Sequence, residues 1–270
     1  VTRSNAAAPV LEFKDGALGF GGTTLWTGLD LTVAPGEFLA VLGPNGSGKT
    51  SLLKTILGQQ QLDSGSVRLS GHGIRRGDRT VGYIPQQKLV PAGTPLRGRD
   101  LVGLGVNGHR FGLPFSRRAD RDRVDELLDD VGAAAYADQP VGTLSGGEQQ
   151  RLRVGQALAG DPVLLLCDEP LLSLDLHHQR VVSELIDRRR RSHDTAVVFV
   201  THDVNPVLDV VDRILYLANG RFRQGTPDEV LRSDVLSDLY DTPVDVIRSR
   251  GRVIVAGVPD GHDHHENEAE

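Results

Sequence analysis

Two glycine-rich strings about a hundred residues apart constrain this chain more than any other feature. Residues 43–50 read GPNGSGKT and residues 144–150 read LSGGEQQ. The first string follows a short apolar run at 38–42 and opens a stretch from Lys49 to Leu57 that reads as a helix ended by Gly58. A strand that empties through glycines into a helix is built to hold phosphate. The glycines accept positive φ, so successive backbone N–H groups converge at a helix N-terminus. Gly43, Pro44, Asn45, Gly46, Ser47, Gly48, Lys49, Thr50 and Ser51 are therefore the candidate phosphate-binding residues. Lys49 is placed to reach the β- and γ-phosphates of a nucleoside triphosphate, and the Thr50 hydroxyl to bind Mg²⁺.

The pattern around these strings is that of a parallel α/β protein. Short apolar runs at 81–84, 163–167, 196–200 and 214–217 read as further buried strands. Residues 88–142 start Pro- and Gly-rich, then become a charged helix from about Asp120 to Val131, which reads as a helical insertion in the core. Residues 244–247 and 253–255 pair as a small hairpin about a turn at Arg250 and Gly251. With 270 residues, 39% of them hydrophobic, the chain suffices for one large domain with appendages. No apolar run nears the ~20 residues that span a bilayer. The net charge of −6 argues against a nucleic-acid partner. A single cysteine, Cys167, makes no internal disulfide, and the N-terminus has no signal-like segment; both fit a cytoplasmic location.

The run VLLLCDEP carries Asp168 to the carboxyl edge of a strand, where ligands collect in open parallel sheets. There Asp168 can hold Mg²⁺ through water while Glu169 orients and polarises an attacking water. Cys167 reads as a buried strand residue rather than a reactive thiol. Ser145, Gly146 and Gly147 open a helix running to about Leu158, giving a second anion-binding helix terminus. Taken alone, Ser145 is equally well explained as an N-cap beside two permissive glycines. Beside the first string it has another use. One nucleotide has little need of two such termini from one chain, so the economical arrangement is a twofold dimer in which each LSGG caps the γ-phosphate held by the other copy.

By the order and spacing of these motifs, residues from about 10 to 240 resemble the nucleotide-binding subunit of an ATP-binding cassette (ABC) transporter. The resemblance implies a P-loop NTPase of the α/β class: a RecA-like core with an antiparallel β subdomain and an inserted helical subdomain at about 88–159. Residues 1–243 would form that domain, and 244–270 a hairpin with a His- and acid-rich tail. It further implies that Phe20 stacks on adenine, and that Gln86 contacts Mg²⁺ and the attacking water and moves with the membrane partner. By the same resemblance Ser173, Leu174 and Asp175 form the loop crossing the dimer interface, and His202 contacts the γ-phosphate. ATP and Mg²⁺ would be the cofactors. The partners would be a second copy on ATP, integral membrane permease subunits at the inner face of the membrane, and indirectly an extracytoplasmic metal-binding protein. The chain departs from the usual family strings at DEPLLSLD and VGQAL, without losing a catalytic group.

Cargo has two pointers. The strings DEPLLSLD, THDVNPVL and VDRILYLANGRF resemble the manganese/zinc branch of the family's importers. The tail adds His262, His264 and His265 among Asp263, Glu266, Glu268 and Glu270, a donor set suited to Zn²⁺, although a solvated acidic end explains it too. The expectation is uptake of zinc or manganese. The alternatives are another cargo such as chelated iron, or a soluble ABC ATPase outside transport, whose paired cassettes or long coiled-coil insertions this chain lacks.

Overall fold

The computed structural model describes residues 8–86, 90–91, 93–108 and 118–257. The elements, in chain order, are β1 (Leu11–Phe20), β2 (Thr23–Val33), β3 (Phe38–Leu42), α1 (Lys49–Ile56), β4 (Ser64–Leu69), β5 (His72–Gly73) and β6 (Val81–Ile84). They continue with α2 (Gly98–Asn107), α3 (Arg118–Asp130), α4 (Gly146–Leu158), β7 (Leu164–Asp168), α5 (Leu176–His193) and β8 (Ala196–Val200). Last come β9 (Arg213–Ala218), β10 (Arg221–Gly225), α6 (Pro227–Val230), α7 (Ser233–Tyr240), β11 (Asp245–Ser249) and β12 (Arg252–Ala256).

The central sheet has the order β10-β9-β3-β8-β7-β6. Its strands β9, β3, β8, β7 and β6 run parallel, and β10 closes one edge antiparallel. Parallel strands covered on both faces must be apolar on both faces, and β3, β7 and β8 are buried along their whole length. Successive side chains alternate between two cores. Phe38, Ala40 and Leu42 of β3, Cys167 of β7, and Val197 and Phe199 of β8 face a core shared with α2 to α5 and α7. Leu39 and Val41, Leu164 and Leu166, and Val198 and Val200 face a second core. There α1 and the antiparallel sheet β2-β1-β4-β5 close the other side. Helices α2, α3 and α4 pack on one another beside β6. The β7 strand begins one residue later than its apolar run suggests, because Val163 is 38% exposed.

The β11–β12 hairpin turns at Arg250 and Gly251, both at positive φ (49° and 75°), as a two-residue hairpin turn requires. No described helix is long and apolar enough to cross a membrane. The histidine-bearing tail lies outside the described residues.

Cys167 is wholly buried between α-helices and sheet, and burial, with the charge of Asp168 second, pushes its thiol far above the ordinary range. Because the thiolate is the reactive form, almost none exists at pH 8 in the folded protein. A thiol reagent at pH 8 is expected to label no cysteine in the native protein and one equivalent after denaturation.

Candidate functional site

Because β3, β8, β7 and β6 are parallel neighbours, their carboxyl ends open on one edge of the sheet. That edge collects the phosphate loop after β3, His202 after β8, Asp168 and Glu169 at the end of β7, and Gln86 after β6. The order of the strands puts the His202 loop between the phosphate loop and the Asp168–Glu169 turn.

The phosphate loop is held open by backbone geometry. Gly43, Gly46 and Gly48 lie at φ 142°, 80° and 97°. A Cβ on Gly43 would lie 2.1 Å from the carbonyl oxygen of Leu217 on β9, so the loop leaves the sheet where only glycine fits. Gly48 caps α1 without a side chain and passes against Trp26, the only tryptophan of the chain. Lys49 is 6% exposed and folds back into the loop, where its Nζ donates to the carbonyls of Gly43 at 2.7 Å and Pro44 at 2.9 Å. Burial pulls its pKa below the ordinary lysine value, and the carboxylates of Glu169 and Asp168 push back. An anion entering the loop therefore meets a buried ammonium whose direct hydrogen-bond partners are two neutral carbonyls. The buried Ser47 hydroxyl has no hydrogen-bond partner, so a polar donor also waits in the cradle.

Asp168 is 7% exposed, and burial raises its carboxyl above the usual range, opposed by a hydrogen bond from the Tyr83 hydroxyl to Oδ2 at 3.3 Å. Burial and then the charge of Asp168 push the Tyr83 phenol up to about 12, so it remains a donor. Glu169 has φ 46°, a conformation that costs on the order of 1–3 kcal/mol for a non-glycine residue. Its N–H donates to the Val200 carbonyl at 3.0 Å, which fixes this turn to β8. His202 follows β8 with its side chain 57% exposed and Nδ1 3.7 Å from Glu169 Oε2. Glu169, Ser173, Gln179, His202 and Pro206 line one small cleft of about 80 Å³.

The second glycine string belongs to a separate cluster. Ser145 caps α4 in a reciprocal box: its Oγ accepts from Glu148 N–H at 3.3 Å, and Glu148 Oε2 accepts from Ser145 N–H at 2.8 Å. Asp175 caps α5, accepting from the N–H of His178 at 2.9 Å, with His178 Nδ1 2.8 Å from its other oxygen. The His178 ring lies flush on Gly147; a Cβ there would fall 1.9 Å from ring Cδ2. Ser145, Gly146 and Gly147 are thereby joined to Asp175, while Lys49, Asp168, Glu169 and His202 form a different group.

Phe20, at the end of β1, is 77% exposed, which leaves its ring open to stacking. Thr50 and Gln86 are exposed and Ser51 half-buried. Thr50, Gln86 and Asp168 offer hard oxygen donors of the kind that suit Mg²⁺. Three residues escaped the sequence reading: Tyr83, His178 and Trp26. Asp175-Leu-His-His does carry a signal for the second, since a helix cap followed three residues on by a polar side chain is a capping pattern.

The fold and site define a P-loop NTPase with a phosphate cradle and a second glycine string at the start of α4. The sequence pattern of the family described as "ABC transporter" matches residues 26–172. An aliphatic sulfonates import ATP-binding protein of Pseudomonas fluorescens is 38% identical over 77% of this chain and 73% of its own length. An iron(3+)-hydroxamate import ATP-binding protein of Bacillus subtilis is 31% identical over 85% and 87%. A zinc import ATP-binding protein of Halorhodospira halophila is 32% identical over 88% and 85%. Among solved structures, an ABC transporter assigned to the metal-chelate type, captured facing inward, superposes with TM-score 0.78 at 25% identity over 92% of this chain and 96% of its own. The chain belongs to the ABC transporter family, and it is one of the family's ATPases, coupling ATP hydrolysis to transport.

Gly43→Ala is expected to abolish ATP binding while leaving the circular dichroism spectrum intact, since the clash is confined to the loop exit. Trp26 reports it: titration with MgATP should change intrinsic fluorescence saturably in the parent and leave it flat in the variant.

Proposed function

We propose that this chain is the ATP-hydrolysing subunit of an importer for a divalent transition metal, zinc or manganese. The importer level rests on family membership and on the sulfonate, iron-hydroxamate and zinc relatives above, each an import ATP-binding protein. The observation that carries the mechanism is the convergence of Lys49, Asp168, Glu169, His202 and Gln86 on one sheet edge. Lys49 turns from the Gly43 and Pro44 carbonyls to the phosphates, and Glu169 accepts the proton of the attacking water from a turn held against β8. His202 stabilises the charge gathering on the γ-phosphate. Phe20 stacks on the adenine. Thr50, Gln86 and Asp168 would hold Mg²⁺, which would supply charge neutralisation on the phosphate oxygens.

Ser145, Gly146, Gly147 and Asp175 then serve the nucleotide of a second copy, so the site is completed in an ATP-bound homodimer. A groove of about 410 Å³ lined by Tyr83, Pro85, Leu104, Gly105 and Gln156 lies between β6 and the α2/α4 helices, next to Gln86. We take it, with the helical subdomain at about 88–159, as the face for the permease at the inner side of the membrane.

The metal cargo is supported by the strings DEPLLSLD, THDVNPVL and VDRILYLANGRF, and by zinc-import relatives at 32% and 34% identity. Chelated iron is the second reading, favoured by the iron-hydroxamate relative and the metal-chelate type structure. Growth of a deletion strain restored by zinc, by manganese or by an iron chelate, one at a time, decides between them; rescue by sulfonate or sulfate alone would overturn both. For the mechanism, Glu169→Gln should retain ATP binding, lose turnover by about a hundredfold or more, and elute as a dimer from a gel-filtration column run with MgATP. Normal hydrolysis by that variant would contradict the role given to Glu169.

A further inference from the structure

The side chain of Asn205 ties the segment that carries His202 to the β11–β12 hairpin. Val253 of β12 pairs with Arg248 across the hairpin and turns its N–H and C=O outward. Asn205 meets both. Its Oδ1 accepts from the Val253 N–H at 2.8 Å, and its Nδ2 donates to the Val253 carbonyl at 2.9 Å, so the amide occupies the place a third strand would take. The same amide faces back toward the residues around His202. Asp203 Oδ1 accepts from the Asn205 N–H at 2.9 Å and from Nδ2 at 2.7 Å, while the Asp203 N–H and carbonyl both bond Thr201 Oγ1. Thr201 and Asp203 flank His202, so the histidine sits on a turn fixed on both sides and anchored through Asn205.

The anchor itself is firm. Val253 and Val244 are buried at 5% and 2% exposure. Ser237 Oγ exchanges hydrogen bonds with Val244, and Ser233 Oγ accepts from the Val246 N–H, joining the hairpin to α7. Arg248 pairs with Asp228 of α6 at 2.9 Å. The imidazole of His202 is by contrast largely exposed and held by little besides its backbone.

We propose that Asn205 is a positioning residue for hydrolysis: it uses the C-terminal hairpin as a fixed support and sets the place of His202. The proposal rests on the role given to His202 above. An amide is required because the site needs a donor and an acceptor side by side, aimed at one peptide unit. Asparagine supplies both; alanine supplies neither, and aspartate supplies only the acceptor and sets a carboxylate against Asp203 and the Val253 carbonyl.

The test compares the full chain with Asn205→Ala, Asn205→Asp, His202→Ala and, as a control on the exposed outer face of the hairpin, Ile247→Ser. Steady-state ATPase rates and the imidazole Hε1 resonance of His202, assigned by its loss in His202→Ala, are the readouts. Both Asn205 variants should lower kcat about tenfold, as for a barrier raised through lost positioning. KM for ATP should stay within about twofold of the parent. The His202 resonance should shift in both variants, and Ile247→Ser should match the parent. Unchanged kcat in the Asn205 variants would overturn the proposal, as would a fall in kcat with an unmoved His202 resonance. Normal hydrolysis by His202→Ala would instead overturn the role of the histidine, a different failure read from a different variant.

Discussion

Everything at this site depends on how the chain leaves β3. Gly43 passes so close to the Leu217 carbonyl that no side chain fits, and this contact turns the backbone into the loop instead of onward along the sheet. The loop then wraps Lys49, whose ammonium is buried against the Gly43 and Pro44 carbonyls with the Asp168 and Glu169 carboxylates nearby. A buried ammonium satisfied only by neutral carbonyls and neighbouring acids gains a great deal from a polyanion. The glycine turns of the loop are already in place, and binding has only to draw Lys49 off those two carbonyls.

Strand order sets the proposed catalytic residues around that cradle. Placing β8 between β3 and β7 brings His202 beside both the phosphate loop and the Asp168–Glu169 turn. The positive φ of Glu169 is maintained because its N–H is fixed to Val200 of β8. The second glycine string has its own set of contacts: Ser145 with Glu148, Asp175 with His178, and the His178 ring against Gly147, at the N-terminal ends of α4 and α5. Two helix starts that each offer part of the expected phosphate contacts are the physical ground for proposing a site shared by two copies.

Much of this was readable in the sequence, for identifiable reasons. The strands β3, β6, β7, β8 and β9 are short, apolar runs bounded by turn residues, and each was located to within a residue or two because both faces of a central parallel sheet must be apolar. The site strings were readable because a phosphate loop admits few residues at its glycine and lysine positions. The long strands β1 and β2 were harder to delimit. They alternate between core and solvent, carry charges such as Lys14, Asp15 and Asp30, and slip register near Asp15 and Gly16. Tyr83 and Asn205 were invisible for another reason. Each acts through a partner distant in sequence, and neither composition nor periodicity records that.

The central claim is that Lys49 of one copy and Ser145 of another complete a single ATP site. Complementation between two crippled variants tests it most directly. Lys49→Ala destroys the phosphate loop and Ser145→Arg blocks the glycine string, so each variant alone should be inactive. In a mixed dimer one site combines both defects, while the other pairs an intact loop with an intact string. The account predicts that mixing the two inactive proteins restores a substantial part of the parent ATPase rate. A mixture that forms dimers with ATP yet stays as inactive as its components would contradict it.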